Sequence, residues 1–373
     1  MPDHVHNAHE RACGAMTRDA RFTPSRTSKP ITDANETAGP DTDTSQHDFK
    51  NISIVVLSYN RIDALRTNLP NLCDLAVRSE AEVIVVDNHS TDGSATFIEE
   101  CSERYPELIY IQTGHNLGVS QGRNRGWARC TRDFILNLDD DTEIASDMVY
   151  ALLEEMKHRP SLGIISPQVV RQIPVQVAEY GSPPSVAVAN FQGACHLIRS
   201  AAVREVGLLD PRIAFGGEEL EYSIRMRNAG YDIRSHRWCY AVYAPRALAS
   251  SESLGRRRAW LNNYCYILTK YLPLGMSSRY VARYSISQCV SAIKQCGVGS
   301  LFPLLGSAIR GCIEGRKLRQ PVADEVVRYY SSPYIQPDCG NIPIYVKLRR
   351  RLLPAKARAA IFTEGIDEGS LLI

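Results

Sequence analysis

Phe134-Ile135-Leu136-Asn137-Leu138-Asp139-Asp140-Asp141 is an apolar run that ends in three consecutive carboxylates. Such a run reads as a buried strand, and its end sets like charges side by side at a sheet edge. Adjacent carboxylates repel, so solvent or a cation must stabilise them. Mg2+ and Mn2+ choose oxygen ligands of this kind and commonly share them with substrate phosphates. The competing reading is a solvated acidic turn that caps Thr142-Glu143-Ile144, and the triplet alone leaves both open.

Upstream, three more apolar runs each end in a polar or glycine-rich loop. Ile52-Ser53-Ile54-Val55-Val56-Leu57 is a β-branched run followed by Tyr59-Asn60. Apolar residues at Ile62, Leu65, Leu69 and Leu72 predict a helix to about Leu75, its part beyond Pro70 less well defined by the pattern. Glu82-Val83-Ile84-Val85-Val86 is a second buried strand that ends at Asp87-Asn88, and Ser90 to Gly93 supply turn and cap chemistry for a helix to about Tyr105. Leu108-Ile109-Tyr110-Ile111-Gln112 is a third strand, with a glycine loop from Gly114 to Gly122 and a helix over about 121–131. This alternation predicts an α/β fold with a mostly parallel sheet, whose ligands bind at the carboxyl ends of the strands.

Further on, the pattern predicts a helix over about Asp147 to His158 and a strand over Leu162 to Pro167. Another strand runs from Cys195 to Arg199, with Ser200 capping a short helix to Val206, and a helix follows Gly217 and ends at Gly230. Residues 1–48 are polar and aperiodic, a disordered leader by composition. Residues 49–272 hold the α/β pattern, and 273–373 read as a helical, basic extension.

With 44% hydrophobic and 23% charged residues and a net charge of +2, the composition is that of a globular protein and lacks the basic excess of a nucleic-acid binder. The 11 cysteines form no Cys-x-x-Cys pair, which disfavours zinc-ribbon and thioredoxin-type sites. No signal-peptide pattern or long apolar span is present, so a cytoplasmic protein is expected.

The motifs in order resemble a known family. Ile54 to Arg61, Val85-Val86-Asp87-Asn88-His89-Ser90-Thr91-Asp92-Gly93-Ser94, Asn116-Leu117-Gly118, Gly122-x-Asn124-x-Gly126 and Leu138-Asp139-Asp140-Asp141 match its succession. Gly193-Ala194, Gly216-Gly217-Glu218-Glu219 and Arg225 to Tyr231 complete it. Over about residues 50–272 the chain resembles the family 2 inverting glycosyltransferases of the GT-A fold. The resemblance implies a nucleotide-diphosphate sugar donor (UDP-, dTDP- or GDP-linked), a hydroxyl-bearing acceptor and a Mg2+ or Mn2+ ion. It implies donor binding by Ser58, Tyr59, Asn60, Asp87, Asn116, Gly118, Asn124 and Asp139, with Asp87 on the base and Tyr59 over its face. Asp141, with Asp139, would hold the metal; if the segment stays extended, strand alternation turns Asp140 the other way, as a solvated spacer. Gly193, Ala194 and Glu218 would lie on the acceptor side.

Inverting transfer needs a carboxylate base on the face opposite the leaving diphosphate. The family carries Asp there; this chain has Glu219, one methylene longer, with Glu218 and Glu221 as neighbouring competitors. The alternative is an acidic first helical turn favoured by the helix dipole. Where many family members have a metal-binding His, this chain has Ala244, and His236 is read as preceding that strand. Arg123 and Arg125 could touch phosphate or lie on the surface. Arg256-Arg257-Arg258 could partly replace a cation at the diphosphate, and with Lys347 to Arg351 could hold the protein at the inner face of an anionic membrane. A non-catalytic nucleotide-sugar binder is the alternative function. A sugar nucleotidyltransferase or a nicotinamide dehydrogenase would need a glycine-rich loop where Ser58-Tyr59-Asn60-Arg61 stands. A glycoside hydrolase shares the paired carboxylates but would carry no nucleotide-reading loops.

Overall fold

Four β-branched runs form one half of the central sheet in the computed structural model, which describes residues 48–172, 184–243 and 250–331. They are β1 (Ile52–Ser58), β2 (Glu82–Asp87), β3 (Leu108–Gln112) and β4 (Phe134–Asp139), mutually parallel in the order β3-β2-β1-β4. The connecting helices are α1 (Ile62–Ser79), α2 (Ser94–Arg104) and α3 (Gly118–Trp127). Strand side chains alternate, and both sets are buried. Ile54, Val56, Val83 and Val85 pack with Leu65, Leu69 and Ile98 of α1 and α2, whereas Val55, Ile84 and Val86 pack with Trp127 of α3. Burial on two faces, nearly complete in β1, β2 and β4 and partial in the edge strand β3, is why these strands are largely apolar.

The second half comprises β5 (Thr142–Ile144), α4 (Ser146–His158), β6 (Leu162–Val170), β7 (Ser185–Ala187), β8 (Cys195–Arg199), α5 (Ser200–Val206), α6 (Glu218–Asn228) and β9 (Asp232–Tyr243). The order continues β4-β8-β6-β9-β5, with β7 also on β9. β8 runs antiparallel to both β4 and β6, while β6 and β9 are parallel. The sheet is therefore mostly parallel by strand direction, as expected, with β5, β7 and β8 reversed. That reversal matters for the site: the turn before β8 lies beside the end of β4, where the Asp139 N–H donates to the Ala194 carbonyl at 2.9 Å.

Several local expectations change. α1 continues through Pro70 to Ser79 and ends at Glu80, which has φ +58°. α3 starts at Gly118, inside the expected loop, and stops at Trp127. Thr142-Glu143-Ile144 pairs with β9, so it is a strand and not a capped turn. Ser200 is the first residue of α5, and its hydroxyl donates to the Arg132 carbonyl at 2.6 Å without capping the helix. His236 lies inside β9, buried, 3.9 Å from Glu155.

Beyond β9 come α7 (Ser250–Tyr271), α8 (Leu274–Cys296), α9 (Leu301–Lys317) and α10 (Asp324–Ser331). Leu261, Ile267, Leu268, Leu304 and Ala308 share an apolar cluster with Leu220 and Ile224 of α6. The helical segment thus braces the helix that carries the glutamates. No described helix is long and apolar enough to cross a membrane. The expected leader over 1–47, Ala244 and the basic run Lys347 to Arg351 lie outside the described residues.

Candidate active site

The carboxyl ends of β1, β2 and β4 are fastened to one another by side chains. The Ser58 hydroxyl donates to Asp140 Oδ2 at 2.8 Å. Asn60, with φ +53°, accepts from the Thr91 N–H at 2.7 Å, and its own N–H donates to the Ser90 hydroxyl. Asp87 is fully buried, and both of its oxygens accept from the Ser90 N–H, at 3.1 and 3.3 Å. Asp92, by contrast, joins two helices: it accepts from the Ile62 N–H of α1 and from Ser94 of α2. Tyr59 projects from this edge, 45% exposed, where a flat ligand can stack on it.

Asn88 is an organiser that the sequence reading passed over. Its amide donates to Asn116 Oδ1 and the Gly118 carbonyl, and its Oδ1 accepts from the Leu117 N–H. Asn116 in turn accepts from the Gly118 N–H at 2.8 Å. Gly118 has φ +76°, and a Cβ there would lie 2.5 Å from the Ala214 carbonyl oxygen, so only glycine fits both the angle and the approach. Asn124 exchanges two hydrogen bonds with the Leu209 backbone. Asn124 therefore positions the loop over 207–217, and Asn116 shapes the start of α3, whose Val119 N–H donates to the Ala214 carbonyl in that loop. The side chains of Ser58 and Asn60 likewise already have partners within the protein.

The aspartates divide differently from the expectation. Asp140 is no solvated spacer: it is 8% exposed, and burial pushes its carboxyl up to about 7 even with the Ser58 hydrogen bond favouring the charge. The strand ends there and the chain turns inward, so alternation no longer points Asp140 to water. Asp139 and Asp141 each hold an arginine. Arg123 donates to Asp139 Oδ1 at 2.7 Å, and Arg61 donates to Asp141 Oδ2 at 2.8 Å. Burial raises the Asp141 pKa against the pull of Arg61. On the far side of each carboxylate, Asp139 Oδ2 has no protein donor among the described residues, and Asp141 Oδ1 has the Thr142 hydroxyl at 3.5 Å. An all-oxygen donor set of this kind suits Mg2+ or Mn2+, with phosphate and water completing the shell. Among the described residues no group of three or more His, Cys, Asp or Glu is placed to hold a metal ion, so the candidate ligands there are these two carboxylates.

Arg123 is the hub. It is 4% exposed, whereas Arg125 lies on the surface. Besides Asp139 it donates to the Gly193 carbonyl at 2.9 Å and lies 3.9 Å from Glu218 Oε1. Burial penalises its charge, yet Asp139, Glu218 and Glu219 more than compensate and raise its pKa. The Glu219 carboxylate packs directly on Gly193, where any Cβ would overlap it. Sequence positions 123, 139, 193, 218 and 219 thus meet in one place.

Both glutamates open α6 after Gly217, where the helix dipole favours negative charge. Burial overrides the dipole. It pushes Glu218 up to about 8, helped by Glu219 and opposed by Arg123, and it raises Glu219 in the same direction. His196, fully buried near Arg123, is held neutral, well below its ordinary range, by burial and by that positive charge. Glu218 Oε2 and His196 Nε2 have no hydrogen-bond partner among the described residues. Such unsatisfied buried atoms call for a ligand or water.

Glu221, the third candidate base, is committed elsewhere. Arg225 grips it through three bonds, Lys270 lies 3.4 Å away, and the Tyr271 hydroxyl donates to it. Lys270 also donates to Asp210 at 2.9 Å, as does Tyr266 at 2.6 Å. Burial works against the Asp210 charge, but these donors bring its carboxyl down to about 2. The network locks α6 to α7, and no spacing pattern announced it. Asn263 of α7 donates to the Phe215 and Gly216 carbonyls, which fixes the turn ahead of Glu218. Two of the arginine triplet have partners within the fold: Arg256 lies over the Phe215 ring and Arg257 bonds Gln288, Ser291 and Gln295 of α8, while Arg258 is exposed.

Residues 53–185 match the model of Glycosyl transferase family 2. That stretch holds Asp87, Asp139 and Asp141 but ends before Gly193 and Glu219. The poly-beta-1,6-N-acetyl-D-glucosamine synthase of Staphylococcus aureus (strain MSSA476) is 25% identical over 207 residues, which covers 52% of this chain and 49% of that protein. The synthase of the same name from Staphylococcus epidermidis is 24% identical over 220 residues, 55% of this chain and 50% of that one. The chain thus spans about half the length of the curated relatives it matches. Among solved structures, GalNAc-T7 with UDP, GalNAc and Mn2+ superposes with a TM-score of 0.51 at 14% identity, over 66% of this chain and 52% of that one. Residues 1–349 of S. aureus TarS give 0.50 at 16% identity, over 72% and 83%. At such identities these structures speak for the fold alone.

Proposed function

From the premise that the chain carries a family 2 glycosyltransferase domain of the GT-A fold, we propose that it transfers a sugar from a nucleotide-diphosphate sugar to an acceptor hydroxyl with inversion. The observation that carries this reading is the meeting of Glu219 with Arg123, Gly193 and Asp139 at the carboxyl edge of the sheet. Asp139 faces the donor and Glu219 the acceptor. Glu219 takes the proton of the acceptor hydroxyl as that oxygen attacks the anomeric carbon, and the nucleotide diphosphate leaves from the opposite face. A carboxylate with a raised pKa suits this task, because it is a stronger base than a solvated one. Arg123 fixes Asp139 and the Gly193 backbone, so donor and base are set by one rigid group. Tyr59 stacks on the base, and Asp87 receives its N–H once the Ser90 turn shares it.

Mg2+ or Mn2+, held at the outer oxygens of Asp139 and Asp141, would supply positive charge to the leaving diphosphate. The GalNAc-T7 structure with UDP and Mn2+ is in keeping with this choice. The proposal includes a cytoplasmic location with contact to the inner membrane face. Expected donors are UDP-, dTDP- and GDP-sugars. Incubating the full chain with each, with and without Mn2+, and measuring nucleoside-diphosphate release and thermal stabilisation tests the reading. Release with one donor, abolished in Glu219→Gln, supports it. Stabilisation without release by the wild type assigns a non-catalytic binder, and neither effect with any donor removes the reading.

A further inference from the structure

The α8–α9 hairpin carries an apolar face that no part of the described fold covers. On α8, Ile286, Val290 and Ile293 are 64, 48 and 38% exposed, and their spacing of four and three puts them on one side. Val298, in the connecting turn, is 66% exposed. On α9, Phe302, Leu305, Ile309 and Ile313 follow at spacings of three, four and four, again on one side, with Phe302 the most exposed at 83%. The opposite side of α9 is already used: Leu304 and Ala308 lie in the core shared with α7. Apolar residues scattered singly are ordinary on a soluble surface, whereas a run of them along one side of a helix marks a place where something binds.

Charge identifies the occupant. Between Leu274 and Lys317 the basic residues are Arg279, Arg283, Lys294, Arg310, Arg316 and Lys317, against the single acid Glu314. Lys294 stands in the last turn of α8, before the turn that holds Val298, and Arg316 and Lys317 close α9; all three are exposed. Self-association through this face would press two positive surfaces together. An anionic lipid surface offers the opposite charge for the rim and an acyl boundary for the apolar stripe. Neither helix is long and apolar enough to cross a bilayer, so the hairpin would lie in the interface plane.

We propose that the α8–α9 hairpin is a membrane-docking surface for anionic phospholipid, with Phe302 and Val298 inserted and Lys294, Arg316 and Lys317 on the headgroups. This deepens the location proposed above and rests on it, but not on the chemistry. Because α9 packs on α7, and α7 holds the turn ahead of Glu218 through Asn263, docking would set the glutamates at a fixed height over the lipid.

The test is co-sedimentation of the full chain with vesicles of phosphatidylcholine alone and of phosphatidylcholine mixed with phosphatidylglycerol. Wild type should partition to the mixed vesicles at least about tenfold more strongly, and added salt should weaken it. Phe302→Ser combined with Ile309→Ser should lose about tenfold or more of that partition, with an unchanged far-UV circular dichroism spectrum. Lys294→Gln with Arg316→Gln and Lys317→Gln, all surface changes, should bring the mixed vesicles down to the neutral level and provides the readout should the apolar variant misfold. Absent binding to anionic vesicles overturns the proposal, as does binding that both variants retain. A wild-type dimer that Phe302→Ser makes monomeric, without vesicle binding, overturns it in favour of a second copy. Vesicle binding by a chain that no nucleotide sugar stabilises would leave this inference standing and remove only the enzymatic reading.

Discussion

The Glu219 carboxylate rests against the backbone of Gly193, in the space that a Cβ would take at that position. Gly193 is thus needed for close approach. What a methyl group there would meet is the far end of a long side chain, which can swing aside at little cost to the fold. Gly193→Ala should therefore displace the base while leaving the melting temperature nearly unchanged. A misplacement of about 1 Å can cost about 10²-fold in rate, so kcat should drop by that order while donor-induced stabilisation persists.

Replacing the base itself should be more severe. Glu219→Gln keeps the volume and removes the proton acceptor, with an expected loss of about 10²–10⁴-fold in kcat. Glu221→Gln separates the rivals. It leaves Arg225 and Lys270 facing a neutral group in a buried network, so it should cost about 3 kcal/mol of stability. Chemical denaturation of the two variants checks this: kinetics should change in the first and stability in the second.

Stability should fall as pH rises through the range in which buried Glu218 titrates. Burial first, then Glu219, raises its pKa to about 8 from 4.5, opposed by Arg123. Between those values the folded protein keeps a proton that the unfolded chain releases. This contribution is complete below about pH 4.5 and is lost as pH approaches 8. Glu218→Gln should flatten that slope, measured as denaturation midpoints at pH 5 and pH 8. An unchanged slope would show that Glu218 does not hold the proton.

Arg61 competes with a cation for Asp141, through the 2.8 Å ion pair. Arg61→Gln should lower the Mn2+ concentration needed for half-maximal binding, read by Mn2+ electron paramagnetic resonance in the presence of a nucleoside diphosphate. Asp141→Asn should raise it. Equal affinities in wild type and both variants would place the metal elsewhere.

The sequence by itself determined the alternation of strands and helices. The first four strands are largely apolar runs, because the inner three are buried on both faces and the edge strand β3 is partly so, and such runs are legible without tertiary knowledge. It also determined that Asp87, Asp139 and Asp141 sit at strand ends, since strand ends are local features. The direction of β8 was beyond it: antiparallel pairing is a choice among partners, and that choice set Ala194 beside Asp139. Asp140 was misread because alternation describes a strand, and the strand stops at Asp139. Arg123 and Arg125 looked equivalent two residues apart, yet one turn of helix buried the first among carboxylates and left the second in solvent. The ion network of Asp210, Glu221, Arg225 and Lys270 joins residues up to 60 positions apart. Only the docking of α7 on α6 brought those charges within reach, because a buried charge finds its partner through the fold and not through spacing.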